Sequence, residues 1–167
     1  MEIFGMLVLW LHVTAATIWV GGNFMIAMVI VPYFKRSVPP VERIKIMTQI
    51  GRSFEPIGWA CVIILIFSGL VNIFTAGVLA SPDLIGPFMR MLGIKLLLVL
   101  ILIILTGIHG FIMAPRLARA VEELEPGTEE LPEHIDKMRG QMAVVSSLIG
   151  VFSLLVLLAA VALRLGI

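Results

Sequence analysis

"MLGIKLLLVLILIILTGIHGFIMAPRL", residues 91–117, decides the class of this chain. From Met91 to Pro115 the only ionisable side chains are Lys95 and His109, and most of the remaining positions are aliphatic. A hydrocarbon core takes about 20 apolar residues to cross as a helix. This run is long enough, and Arg90 and Arg116 bracket it. Working outward, three further runs have the same character, so four membrane helices are predicted at about 4–31, 56–79, 88–114 and 142–165. Backbone groups in lipid must bond within their own segment, which makes the spans helices rather than open strands. The whole chain agrees. Of its 167 residues 60% are hydrophobic and 14% charged, more apolar surface than a soluble domain can hide. The expected fold is one all-α membrane domain over residues 1–167, a four-helix bundle. The first run is too long for the short apolar core of a cleaved signal and reads as a span.

Prolines punctuate these limits. Pro32 follows the first run, Pro56 opens the second, Pro87 opens the third and Pro115 closes it. A proline in the first helical turn lacks only a donor that would be unpaired anyway. Orientation follows from the basic residues. Residues 32–55 carry Lys35, Arg36, Arg43, Lys45 and Arg52, and residues 115–141 carry Arg116, Arg119, Lys137 and Arg139; the other side has only Arg90 and Arg164. The positive-inside rule puts both connections in the cytoplasm and both termini on the outer face of the cell membrane. Within residues 40–53, Val41, Ile44, Met47 and Ile50 recur at helical spacing among charges, which predicts a short interfacial helix. Residues 120–137 include seven carboxylates between Glu122 and Asp136 and read as a solvated acidic loop. Cys61 stands alone and builds no disulfide framework. A net charge of +1 gives no reason to expect nucleic acid, and no phosphate loop or nucleophile elbow is present. The partner these features demand is the lipid bilayer; a homo-oligomer is compatible with a bundle this small.

Ionisable residues inside a membrane helix are costly and mark functional sites by default. Here they are His12, Lys95 and His109, with Asn23, Ser68, Asn72 and Thr106 as softer polar members. The first and third spans run in the same direction. At 1.5 Å per residue, His12 and Lys95 both lie roughly 10–12 Å below the outer end, and His109 lies about 21 Å deeper. Lys95 and His109 share a helix face to within roughly 40°. The second span runs back and returns Asn72 near the level of His12. Two levels result: an outer one with His12, Lys95 and Asn72, and an inner one with His109, Thr106, Glu55 and Arg52. The two histidines are too far apart along the membrane normal to bind opposite faces of one haem. Around His12, the residues Ala15, Ala16, Trp19, Gly22 and Asn23 share its face, leaving room for a neighbouring helix or for a flat cofactor lying against Trp19.

Three stretches carry a family resemblance. "LHVTAATIWVGGNF" (residues 11–24) resembles the first helix of both the CopD-type membrane domain and the HemJ-type protoporphyrinogen oxidases. "GRSFEPIGWACVIILIFSGLVNIF" (51–74) is similar to the second helix of the CopD-type domain, and residues 91–117 to the third helix of both. The HemJ-type resemblance implies a haem-binding oxidase, with His12 as haem ligand and Lys95 as an essential group; His109 falls three residues later than that pattern would place it. The CopD-type resemblance implies copper uptake or resistance, some relatives looking like b-type cytochromes. Neutral imidazole ligates haem iron and copper alike. The expectation from the sequence is therefore a b-type haem protein with a redox role. His12 and His109 would be metal ligands, Lys95, Trp19 and Asn72 would line the cofactor, and a quinone or similar redox partner would exchange electrons with it. Copper transport or resistance of the CopD type, and protoporphyrinogen oxidation of the HemJ type, are the alternatives. Whether the chain is itself a membrane oxidoreductase stays open. The ten methionines form no ladder around either histidine and read as gap-fillers.

Overall fold

A computed structural model describes residues 2–75, 86–124, 128 and 130–165, with the side chain of Glu2 excepted. No strand occurs among the described residues. The chain forms α1 (Glu2–Met25), a π-helical segment (Ile26–Ile30), α2 (Val31–Ser37), α3 (Pro40–Thr75), α4 (Pro87–Gly107), a second π segment (Ile108–Met113), α5 (Ala114–Glu122) and α6 (Glu133–Leu165). The π segments join their neighbours without a break. Four continuous helical rods therefore result: Ile3–Ser37, Pro40–Thr75, Pro87–Glu122 and Glu133–Leu165, each apolar enough to cross a membrane. The expected all-α, four-span bundle is the observed one.

The boundaries differ from the expected ones, and the prolines explain how. Pro32 and Pro115 do not end their helices. A proline ring clashes with the carbonyl four residues back, and the helix widens to accommodate it. The residue just before each proline then donates to the carbonyl five residues back, Val31 to Ile26 and Ala114 to His109. Pro56 is inside α3 rather than at its start. Residues 40–53 are not a separate interfacial helix; they are the first turns of α3. The acidic loop is shorter than expected, because residues 120–122 close α5 and residues 133–137 open α6. The predicted end of the second span at 79 lies outside the described residues, as do residues 125–127 and 129 of the acidic stretch.

At 33–36 residues, each rod is roughly 50 Å long, against a hydrocarbon core of about 30 Å. The excess gathers at the end where α2 turns into α3 and α5 approaches α6. There Val41, Ile44, Leu117, Val121 and Ile135 form a core of their own, with Ile135 and Val121 only 0% and 1% exposed. We call this the cap end. α5 is built for it: Leu117, Ala118 and Val121 face inward, while Arg116, Arg119 and Glu122 face out. A second cluster lies within the spans, around Ala15, Trp19, Cys61, Val62, Leu102 and Ile149. Most other apolar side chains of the spans are exposed, as lipid-facing residues are. α1 packs chiefly on α3, and α4 chiefly on α6; between these two hairpins the spans touch mainly through α1 and α6.

Candidate intramembrane metal site

His12 lies in the half of α1 away from the cap, half-buried. Its Nδ1 is 2.8 Å from Ser68 Oγ on α3. Ser68 is buried, and its hydroxyl also lies 2.5 Å from the carbonyl of Ile64 one turn earlier. A hydroxyl has one proton and can accept as well. Ser68 gives that proton to Ile64 O and accepts from His12 Nδ1–H. With that assignment the imidazole, which also has the Leu65 carbonyl within hydrogen-bond reach, is the tautomer whose Nε2 carries the lone pair. This arrangement, a ring N–H anchored by a neighbour while the other nitrogen is bare, is how proteins orient a metal-binding histidine. Gly69 lies beside the ring: a β-carbon there would meet His12 Cε1 at 3.5 Å, an ordinary contact, and only a longer side chain would crowd the imidazole.

His109 repeats the wiring nearer the cap. Its Nε2 is 2.9 Å from Ser146 Oγ on α6, and Ser146 donates to Met142 O at 2.9 Å. The Nδ1 of His109 is left bare. His109 also lies in the second π segment, where its carbonyl receives the Ala114 N–H. Beside it, the carboxylate of Glu55 on α3 lies against Gly110. The indole of Trp59 stacks on Phe111, with centroids 5.1 Å apart and planes 13° apart. Thr106 Oγ1 is buried with no hydrogen-bond partner.

The other expected residues fall as follows. Lys95 lies in α4, half-buried and within electrostatic range of the His12 ring. Among the described residues no carboxylate pairs with Lys95; the ion pair there is Arg139 with Asp136, in the cap. Trp19 is 5% exposed and belongs to the interior cluster, with its ring edge toward Gly58. Asn23 caps nothing across the bundle; its amide donates to Trp19 O. The residue of α3 that meets His12 is Ser68, one turn before Asn72. The Asn72 carbonyl accepts from Thr75, and the hydrogen bond from α3 to His12 comes from Ser68 instead. Level along the membrane was readable from residue counting. Which face of α3 turned toward α1 was not, because that depends on packing such as the seating of Phe54 in the space over Gly22. No group of three or more His, Cys, Asp or Glu side chains converges among the described residues. Each histidine is therefore a single strong donor with weaker neighbours.

Four membrane-length helices, with a histidine hydrogen-bonded across each hairpin, define a polytopic membrane protein. A family model described as copper resistance protein D matches residues 48–163, which is most of the chain, and the protein belongs to that family. The matched span includes Lys95 and His109 and begins after α1, so the place of His12 rests on the geometry above. A protein of Aquifex aeolicus (strain VF5), described only as uncharacterized, is 38% identical over 69 residues, covering 41% of this chain and 47% of that one. The match thus spans about half of that relative. No solved structure matches.

Proposed function

We propose that this chain handles copper within the cell membrane, as cargo bound and passed between its helices. The observation that carries the reading is the free Nε2 of His12, fixed in a membrane interior by Ser68. An imidazole nitrogen is a good copper ligand, and membership of the copper resistance protein D family gives the metal its identity. His12 is the first ligand position. His109, with Nδ1 bare, is a second station roughly 21 Å further along the membrane normal. In this reading the cap end, where basic residues gather, is the cytoplasmic one, as the positive-inside rule favours, and the two stations lie toward opposite faces.

The same Nε2 suits a haem iron, and haem b with a redox role is the second reading. What favours it is the imidazole alone. His12 and His109 stand at different depths and belong to different hairpins, so they do not flank one haem. A quinone or other electron partner belongs to that reading and not to copper handling.

Transport tests the proposal. The full chain is placed in liposomes with copper(I) outside, and internal copper is measured over time. Wild type is expected to admit copper. His12→Ala is expected to abolish most of the uptake, and His109→Ala to slow it. Uptake undiminished in both variants would overturn the proposal.

A further inference from the structure

The rod that carries His12 has a groove of its own toward the cap. Met28, Val29, Pro32, Tyr33, Arg36 and Ser37 line it, and its volume is about 520 Å³. These residues form two neighbouring rows on one helical face, each row stepping four residues at a time. In the first row Pro32 lies between the longer Met28 and Arg36. Polarity changes in order along the groove. Met28 and Val29, in the π segment, are apolar and exposed toward lipid. Arg36 and Ser37, at the other end, are polar. The eight residues from Met28 to Arg36 rise about 12 Å, whereas the polar zone of one leaflet is roughly 5–8 Å deep. The groove therefore crosses from headgroup level into hydrocarbon.

Its polar end lacks a counter-ion. Among the described residues no carboxylate pairs with Lys35 or Arg36; the ion pair at the cap is Arg139 with Asp136. Arg43 brings a third cation to this end, its guanidinium reaching the Lys35 carbonyl at 3.4 Å. Ser37 gives its proton to Tyr33 O at 3.0 Å, so the donors left to a ligand are the Arg36 guanidinium and the Tyr33 hydroxyl. The Tyr33 ring stands edge-on to Phe34, with centroids 5.3 Å apart and planes at 84°. A guanidinium presents two parallel N–H groups to a phosphate. We propose that this groove holds one anionic phospholipid of the surrounding bilayer, its phosphodiester on Arg36 and Tyr33 and one acyl chain along Pro32, Val29 and Met28. The headgroup is anionic rather than zwitterionic, because the ammonium of a choline or ethanolamine group would meet Lys35, Arg36 and Arg43. Snorkelling alone takes an arginine to the headgroups; the groove beside Arg36 is what holds a single lipid in place. This inference stands apart from the copper reading and from both histidines.

Native mass spectrometry of the full chain tests it. Lipid is stripped in detergent, and dioleoyl phosphatidylglycerol or dioleoyl phosphatidylcholine is titrated back. Wild type is expected to retain one phosphatidylglycerol severalfold more tightly than phosphatidylcholine. Arg36→Gln is expected to bind phosphatidylglycerol about fivefold more weakly, or ~1 kcal/mol, the share of one basic residue at an anionic lipid surface. Tyr33→Phe, which loses only the hydroxyl, is expected to weaken it about threefold, the order of one hydrogen bond. Arg90→Gln removes the same charge at the end of α4 away from the cap and is expected to bind as wild type does. Equal retention of the two lipids by wild type overturns the anionic headgroup. Equal losses in Arg36→Gln and Arg90→Gln overturn the site and leave net charge as the cause. Displacement of the bound lipid by inorganic phosphate would show a phosphate site with no use for the acyl chain, and would overturn the lipid as its occupant.

Discussion

One hydroxyl proton decides which nitrogen of His12 is available. Ser68 spends it on Ile64 O, so the imidazole must donate from Nδ1 and present Nε2. Ser68→Ala is therefore expected to leave the helices in place but free the ring, weakening copper binding about 10- to 100-fold, the usual cost of losing such a support. A competition titration against a copper chelator of known affinity checks it; unchanged affinity would mean that the serine does not orient the ring. His12 and Lys95 were legible in the sequence because an ionisable group in an apolar run stands out, and residue counting sets its depth. Ser68 is one of four softer polar residues in the spans, and depth alone points to Asn72 as the residue level with His12. Serine in a membrane helix usually bonds its own backbone, and only packing shows that this one also reaches across.

Helix α1 can approach α3 closely because Gly22 has no side chain where the Phe54 ring sits. Gly22→Leu is expected to force the two helices apart and to lower stability by about 1–3 kcal/mol, the range for overpacking. Thermal unfolding in detergent measures it, and a variant melting with wild type would show that the contact is dispensable. At this scale the number and direction of the spans were readable, whereas their ends were not. Charge marks where a helix leaves hydrocarbon; it does not mark where the helix stops. The basic stretch 32–55 therefore read as a connection although nearly all of it is helical. Prolines misled for a related reason. Pro32 and Pro115 remove a backbone bond, but one π turn absorbs the loss and the rod continues.

The molecule as a whole has its tightest core outside the apolar spans, at the cap end, where water supplies the hydrophobic driving force that lipid cannot. Ile135 is fully buried there, and Ile135→Ala is expected to cost about 2–5 kcal/mol. Leu100 is 55% exposed on the lipid side of α4, and Leu100→Ala should fall within about 0.5 kcal/mol of wild type. Melting temperatures of the two variants, compared in one detergent, test the contrast; equal losses would contradict this division of stability. The proposed copper handling turns on a metal position at His12. The measurement that tests it most directly is metal analysis with an absorption spectrum, made on the detergent-purified full chain after copper exposure and removal of unbound metal, wild type beside His12→Ala. Wild type is expected to retain copper and His12→Ala to lose it, with no Soret band in either. A wild type that carries a Soret band and keeps no copper would contradict it and make haem the ligand of this site.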